Sequence, residues 1–491
     1  MKITYQGSTL AKIYEKTHKF DLEDSYNYLK LKTELQGKCY MIILLYDPTD
    51  KLRIQYHFQP EYREIILSDN DQYLSPGVLN GPLIKGRWTL KTIINSTKNH
   101  INKDNNYKIT LYASKNKLNL KNDNTLKSPV KWADYNCKPP LSLNKYKWDK
   151  TYNTTSKWYK GDLHAHTICS DGMLKPDEQL QVAIENDLDF YFTTDHNFLP
   201  LCWEKSNILV IPGVEVTLEH GHFNAFALSN LIDFSNQYGS EKLSSNFIKQ
   251  INNKSEFISI NHAFFKKWEW KYVDSKIEDF QTMEIICDPQ HPDAKIAAQK
   301  ALKAWKTLLN DGHRIWAVGG SDTHLRKDYQ KYGRPPTQIG DPATFVLSKS
   351  LSAHHIIEGI KNGKSYQARG FSMRPEFIIG EQYFSPGSDL SFLFSNNTKH
   401  KIKCNIEIKS TKYPLNLQLI LNGRPINNIV VKKSGKYEYK LELKGNKYEW
   451  LSVEIRDSNG QLIGLVNPVF KGKKKNTITH WSQLIKKMEE S

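Results

Sequence analysis

Between positions 158 and 370 strand-like and helix-like runs alternate, and histidine, aspartate or glutamate recurs in or beside the strand-like runs. The runs WYKGDLH, LDFYFTT, ILVIPGVEV, FNAFAL, FISINH, TMEIIC and IWAVGGSD are short and rich in β-branched and aromatic residues, as strands are. Helical periods lie between them. Positions 176–186 open with Pro176 and two acids. Positions 293–310 repeat Ile296, Leu302, Trp305, Leu308 and Leu309 and stop before Gly312. Positions 352–362 begin with a capping-type serine and end before Gly363. Repeated β–α alternation predicts an α/β domain over 157–371, a barrel or barrel-like fold.

The flanks have a different texture. Over 1–113 the runs CYMIILLYD, KLRIQYHF, REIILSD, RWTLKTII and YKITLYA are separated by turn-forming residues, which predicts a β-sandwich-like domain. Positions 114–156 are rich in Lys, Asn and Pro with little periodicity, as a linker or surface crossing would be. Over 372–472 β texture returns, with hairpin signals at LNGRP and DSNGQ, and predicts a second β-sandwich-like domain. The basic tail, 473–491, carries a short helix that puts Trp481, Leu484, Ile485 and Met488 on one face.

Sixty-nine basic against 52 acidic residues give a net charge of +17, which suits an anionic substrate, nucleic acid or an acidic surface. The lysines are scattered, with no dense block longer than KGKKK at 471–475, so a nucleic-acid footprint is disfavoured. Six cysteines at 39, 137, 169, 202, 287 and 404 form no CxxC pair, which fits reduced thiols in a cytoplasmic protein. No run approaches the roughly 18 apolar residues of a membrane span, and the N-terminus lacks the apolar segment of a secretory signal. A soluble, unexported chain is expected.

In the α/β region the strand ends supply His164 and His166, Asp171 in a turn, Asp195 and His196, Glu215, His222, His262, and Asp322 with His324. Each alone has an ordinary reading as a hydrogen-bonded strand end, an ion-pair partner or a cap. Their recurrence on successive strands weakens that reading, because a barrel collects such ends around one mouth. His220, His291, His313, His354 and His355 lack strand-end placement and read as ordinary loop or surface histidines. Imidazole with carboxylate, and no thiolate, suits zinc, manganese or iron. Nine donors exceed one ion, so two or three ions sharing a carboxylate, with Glu215 as the bridge, would use them all.

The order HxH, SDG, TDH, GxE, GHxN, NHA and GSDTH resembles the PHP (polymerase and histidinol phosphatase) superfamily. The elements GPLIKGRWTL, NGKSYQARG and VEIRDSNGQLIGLVNPVF resemble its CehA/McbA-type metallohydrolase branch, in which the PHP domain lies between β-domains. The resemblance implies a distorted seven-stranded (β/α) barrel with a trinuclear site. His164, His166, Glu215 and Asp322 would hold one ion, Glu215, His222 and His262 a second, and Asp171, His196 and His324 a third. NHA stands where many relatives have Asn-His-Pro, which alters the turn after His262.

The expected activity is that of a metal-dependent phosphoesterase, with a metal-bridging hydroxide held by Glu215 attacking phosphorus in a small anionic, phosphorylated substrate. Asp195 is expected to orient a ligand. Arg326 and Arg369 are the candidate substrate-binding cations. Two other readings stand beside it: hydrolysis of a carbamate, amide or ester on the same ions, and a non-catalytic scaffold that binds nucleic acid. The loops 264–275, which contain FFKKWEWKY, and 325–339 are expected to shape the pocket.

Overall fold

The computed structural model describes residues 1–490 except 12, 38, 59–61, 72–73, 97–104, 120–124, 138–140, 235–236, 331–332 and 411–413, with backbone alone at 58, 62 and 96. In the N-terminal part, Cys39–Tyr46 alternates buried Cys39, Met41, Ile43 and Leu45 with half-buried neighbours, the period of a strand with one face in a core. It lies in an antiparallel sheet ordered Ile13–Leu22, Gly86–Ser96, Cys39–Tyr46, Leu52–Phe58. A second sheet, Lys2–Thr9, Asn105–Ser114, Tyr28–Gln36, Tyr62–Ser68, packs on it around Leu31, Trp88, Leu90 and Leu111.

The stretch expected to be a linker is fastened down where it is described: Pro129–Lys131 pairs with Cys202–Glu204, and Trp132 stacks on Trp203 at 5.9 Å. Positions 120–124 and 138–140 of it lie outside the described residues.

The central strands divide between two sheets. One has five strands in the order Gly213–Leu218, Gly221–Phe226, Phe257–Ile260, Thr282–Cys287, Trp316–Gly320. The other begins Leu209–Ile211, Phe190–Phe192, Lys157–Asp162, Ala343–Ser348, Ser365–Ala368 and continues through Leu462–Lys471, Glu449–Arg456 and Leu415–Leu421 to Arg424–Val431. The hydrogen-bonded strand order by itself does not show the expected seven-stranded (β/α) barrel; what it shows is a mixed, strand-rich arrangement in two sheets. The cause is local. Gly213–Leu218 returns to Gly221–Phe226 through a tight turn with no helical crossover, and Ala343–Ser348 runs antiparallel to Lys157–Asp162. The run ILVIPGVEV is two strands in different sheets, broken at Pro212, which has no N–H for a ladder. Isolated parallel bridges, Ala165 to Thr323 and His196 to Glu215, tie the two sheets together at their ligand-bearing ends.

Helices Pro176–Glu185, Ala294–Asp311 and Ala353–Lys361 fall where their caps predict, and Gly312 closes the second at φ 102°. Ser245–Asn252 is a further helix. After position 371 a second sandwich forms, with Phe377, Ile402, Leu417 and Val453 between its sheets. The C-terminal helix, Trp481–Glu489, buries Trp481, Leu484 and Met488. All six cysteines are free and buried. Among the described residues no helix is long and apolar enough to cross a membrane.

Candidate metal centre

Glu215, buried in the middle of Gly213–Leu218, faces five imidazoles. Its Oε1 lies 3.3 Å from His164 Nε2, 3.1 Å from His262 Nε2 and 3.3 Å from His222 Nδ1. Its Oε2 lies 2.7 Å from His196 Nδ1 and 3.4 Å from His166 Nε2. Asp322 Oδ1 is 3.3 Å from His164 Nε2 and 3.1 Å from His166 Nε2. Asp171 Oδ1 is 3.3 Å from His196 Nε2 and 3.2 Å from His324 Nε2. The nine candidate ligands, Asp195 set aside, thus converge in one cluster.

The backbone is shaped to permit this. A Cβ at Gly320 would stand 2.3 Å from His164 Cβ, and one at Gly172 would stand 2.5 Å from the His166 carbonyl oxygen. His262 and Asp322 take positive φ, 27° and 50°, although neither is glycine. Such conformations cost about 1–3 kcal/mol each and persist where a site requires them.

Burial disfavours charge throughout the cluster, yet opposite charges overcome it at most positions. Glu284, Glu215 and Asp322 hold His164 well above the usual histidine range, and Asp171 and Glu215 do the same for His196. Asp171 and Asp322 raise His324 to about 9. Asp171 and Glu215 are held well below the carboxylate range by the neighbouring rings. His166 differs: burial, with the charges of His324 and His196, pushes it down to about 3 and leaves a neutral ring.

The donor set suits divalent ions. Most neighbouring donor atoms are 3.1–3.4 Å apart, close to the separation of atoms sharing an ion at about 2.0–2.2 Å. Glu215 Oε2 and His222 Nδ1 are buried and make no well-directed hydrogen bond, although a metal-type donor atom lies 2.7 Å from the first and 3.3 Å from the second. The sulfur-containing group His164, Glu284 and Cys287 also has metal-ligand spacing. Burial raises the Cys287 thiol well above its ordinary range, so it is a poorer donor than the oxygen and nitrogen set.

Asp195 acts one step behind the cluster. Its carboxylate accepts Thr167 N–H and Oγ1–H, each at 2.8 Å, and Ser170 Oγ–H at 2.7 Å, so it pins the loop between His166 and Asp171. Two supporting residues went unmarked in the sequence. Glu284 Oε1 meets His164 Nδ1 at 2.8 Å. His57, from the N-terminal sandwich, donates Nδ1–H to the His196 carbonyl oxygen at 2.9 Å. Burial and the nearby His196 push its pKa down to about 4, which keeps the ring neutral.

A cavity of about 310 Å³ opens over the cluster, walled by Lys267, Trp268, Asp288, His291, Leu325 and Thr337. The loops expected to shape it do so, and His291 is a wall residue rather than an ordinary surface one; positions 331–332 lie outside the described residues. The two expected arginines do not line it. Arg369 forks onto Asp341 at 2.8 and 3.0 Å, and exposed Arg326 pairs with Asp328. The cation lining the cavity, among the described residues, is Lys267, whose Nζ lies 4.8 Å over the Trp268 ring.

No family model and no curated protein matches the chain. Among solved structures it is similar to a two-domain protein from Bacteroides vulgatus containing a predicted PHP-like metal-dependent phosphoesterase. That match has 15% identity and a TM-score of 0.33, covering 66% of this chain and 99% of that one. A CARDB domain from Pyrococcus furiosus matches at 7% identity and a TM-score of 0.14, covering 20% of this chain and 94% of that one.

Proposed function

We propose that this chain is a metal-dependent hydrolase acting on a small phosphoester, with two or three divalent ions of zinc, manganese or iron. The observation that carries the reading is Glu215, one buried carboxylate within 3.4 Å of nitrogens from five histidines. His164, His166 and Asp322 would share a first ion with it, and His222 and His262 a second. Asp171, His196 and His324 would hold the third. Bound there, the ions supply Lewis acidity, activate water near neutral pH and offset phosphate charge.

The chain's own residues do the rest. Glu284 fixes the His164 tautomer, since an accepting carboxylate at Nδ1 leaves Nε2 free to coordinate. Asp195 holds the spacing between His166 and Asp171. Lys267, which has no carboxylate partner among the described residues, offers an ammonium to an anionic oxygen at the cavity wall. The net charge of +17 favours an anionic substrate. No protein nucleophile is called for: Cys169 and Cys287 are buried and their thiols are raised well above the ordinary range.

The test is a substrate panel on protein reconstituted with manganese or zinc, spanning phosphomonoesters, phosphodiesters, carbamates, amides and aryl esters. Phosphoester turnover is expected. Turnover of a carbamate or aryl ester with no phosphoester would replace this reading with carbonyl hydrolysis on the same ions.

A further inference from the structure

Residues 477–482 of the C-terminal segment pack against the loop that follows His262. Its approach is anchored at Asp311, the last residue of Ala294–Asp311. The Asp311 carboxylate accepts Thr477 N–H at 2.7 Å, Thr477 Oγ1–H at 2.6 Å and Ile478 N–H at 2.8 Å. The chain then pairs with the end of the cavity loop. Ile277 N–H donates to the Thr479 carbonyl at 3.0 Å, Trp481 N–H to Ser275 at 2.9 Å and Ser482 N–H to Val273 at 2.9 Å.

Trp481 is 1% exposed, and its ring lies 5.8 Å from Phe264 and 6.2 Å from Trp270. These two residues stand directly behind the ligands. Phe264 follows His262 by two positions, and Trp270 N–H donates to the Ala263 carbonyl at 2.9 Å. Trp270 also packs on Gly221, where a Cβ would stand 2.7 Å from its ring, and Gly221 precedes His222. Between Phe264 and Trp270 the same loop presents Lys267 and Trp268 to the cavity, with the Trp268 ring 6.2 Å from His262.

From this geometry we infer that Trp481 is a positioning residue for the active site: the tail holds the 263–271 loop in the conformation that binds substrate. The loop is held from within by Trp270 against Phe223 and Phe280 and by Phe265 against His291. Lys266, Lys267 and Lys271 are exposed along it, and Trp481 packs on Phe264 and Trp270 from the C-terminal segment. A loop opens locally at lower cost when an element packed on it is lost. The tail is thus a working part of the site, although it lies more than 150 residues further along the chain from Asp322.

The proposal rests on the proposed reaction only for its kinetic readout, so two readouts are needed. In the full-length, metal-loaded protein, Trp481→Ala is expected to speed tryptic cleavage after Lys266 and Lys267 about tenfold. The KM for p-nitrophenyl phosphate should rise about fivefold or more with kcat within about twofold. Metal content should not change, and Trp481→Phe, which keeps a ring against Phe264 and Trp270, should restore both values. Unchanged cleavage or unchanged KM overturns the proposal. If Trp481→Ala does not fold, Asp311→Asn, which loosens the tail at its other anchor, is judged by the same two criteria. If the wild type turns over no phosphoester, the proposed reaction fails instead, and calorimetric affinity for inorganic phosphate takes the place of KM.

Discussion

Glu284 Oε1 lies 2.8 Å from Nδ1 of His164, and the other oxygen of Glu284 accepts the backbone N–H of His262 at 3.0 Å. One carboxylate thus orients two of the metal-type histidines. Replacing it by Glu284→Gln should lower affinity for the first ion about 10–100-fold, the usual effect of losing a partner behind a ligand. Competition with a chromophoric chelator measures this. Circular dichroism should show the fold retained.

Gly320 is where His164 and Glu284 meet the backbone of the Trp316–Gly320 strand. A methyl group there would stand 2.3 Å from His164 Cβ and 2.7 Å from Glu284 Oε1. Gly320→Ala should therefore cost about 1–3 kcal/mol of stability. It should also weaken metal binding. The denaturant midpoint of the metal-free protein, followed by a metal titration, checks both effects.

Metal uptake should depend on pH in a stated direction. Burial lowers the pKa of His324, but Asp171 and Asp322 overcome it and raise the folded value to about 9. Because that lies above the unfolded value of about 6.5, this group's contribution to metal-free stability is complete below about pH 6.5 and is lost as pH rises through 9. An ion must displace the same proton, so binding tightens over that window with proton release. Calorimetry with manganese in buffers of different ionisation enthalpy should show affinity rising with pH, the His324 proton alone contributing up to about tenfold per pH unit. Affinity that is flat from pH 6.5 to 9 would remove His324 from the ion-binding set.

The cation at the cavity should be Lys267 rather than either arginine. Lys267→Ala is expected to raise KM for a phosphomonoester about tenfold with little change in kcat, as removal of uniform binding does. Arg326→Ala and Arg369→Ala should leave KM within about twofold, since neither residue lines the cavity. Steady-state kinetics on the three variants decides this.

The nine clustered residues were legible because strand ends that share a mouth can be read from one run at a time. Glu284 was not, since it lies inside TMEIIC, and a register shift between Glu284 and Ile286 changes which side chains point inward. His57 was hidden because its partner is 139 residues away in another part of the chain. Arg369 looked like a substrate contact because the sequence does not reveal its fork onto Asp341. Strand positions were largely readable, but their division between two sheets was not. Sheet order is set by long-range pairing, as where Ser365–Ala368 joins Leu462–Lys471. The tail helix followed from its period alone, although nothing in that period pointed to Phe264 and Trp270 as its partners.

The central claim is that Glu215 is shared between ions. The most direct measurement is metal content by mass spectrometry after supplementation with manganese or zinc and removal of free ion, on wild type and Glu215→Gln. About two or three ions per wild-type chain are predicted, with a loss of more than one in the variant. Fewer than about one ion per wild-type chain would contradict the shared site.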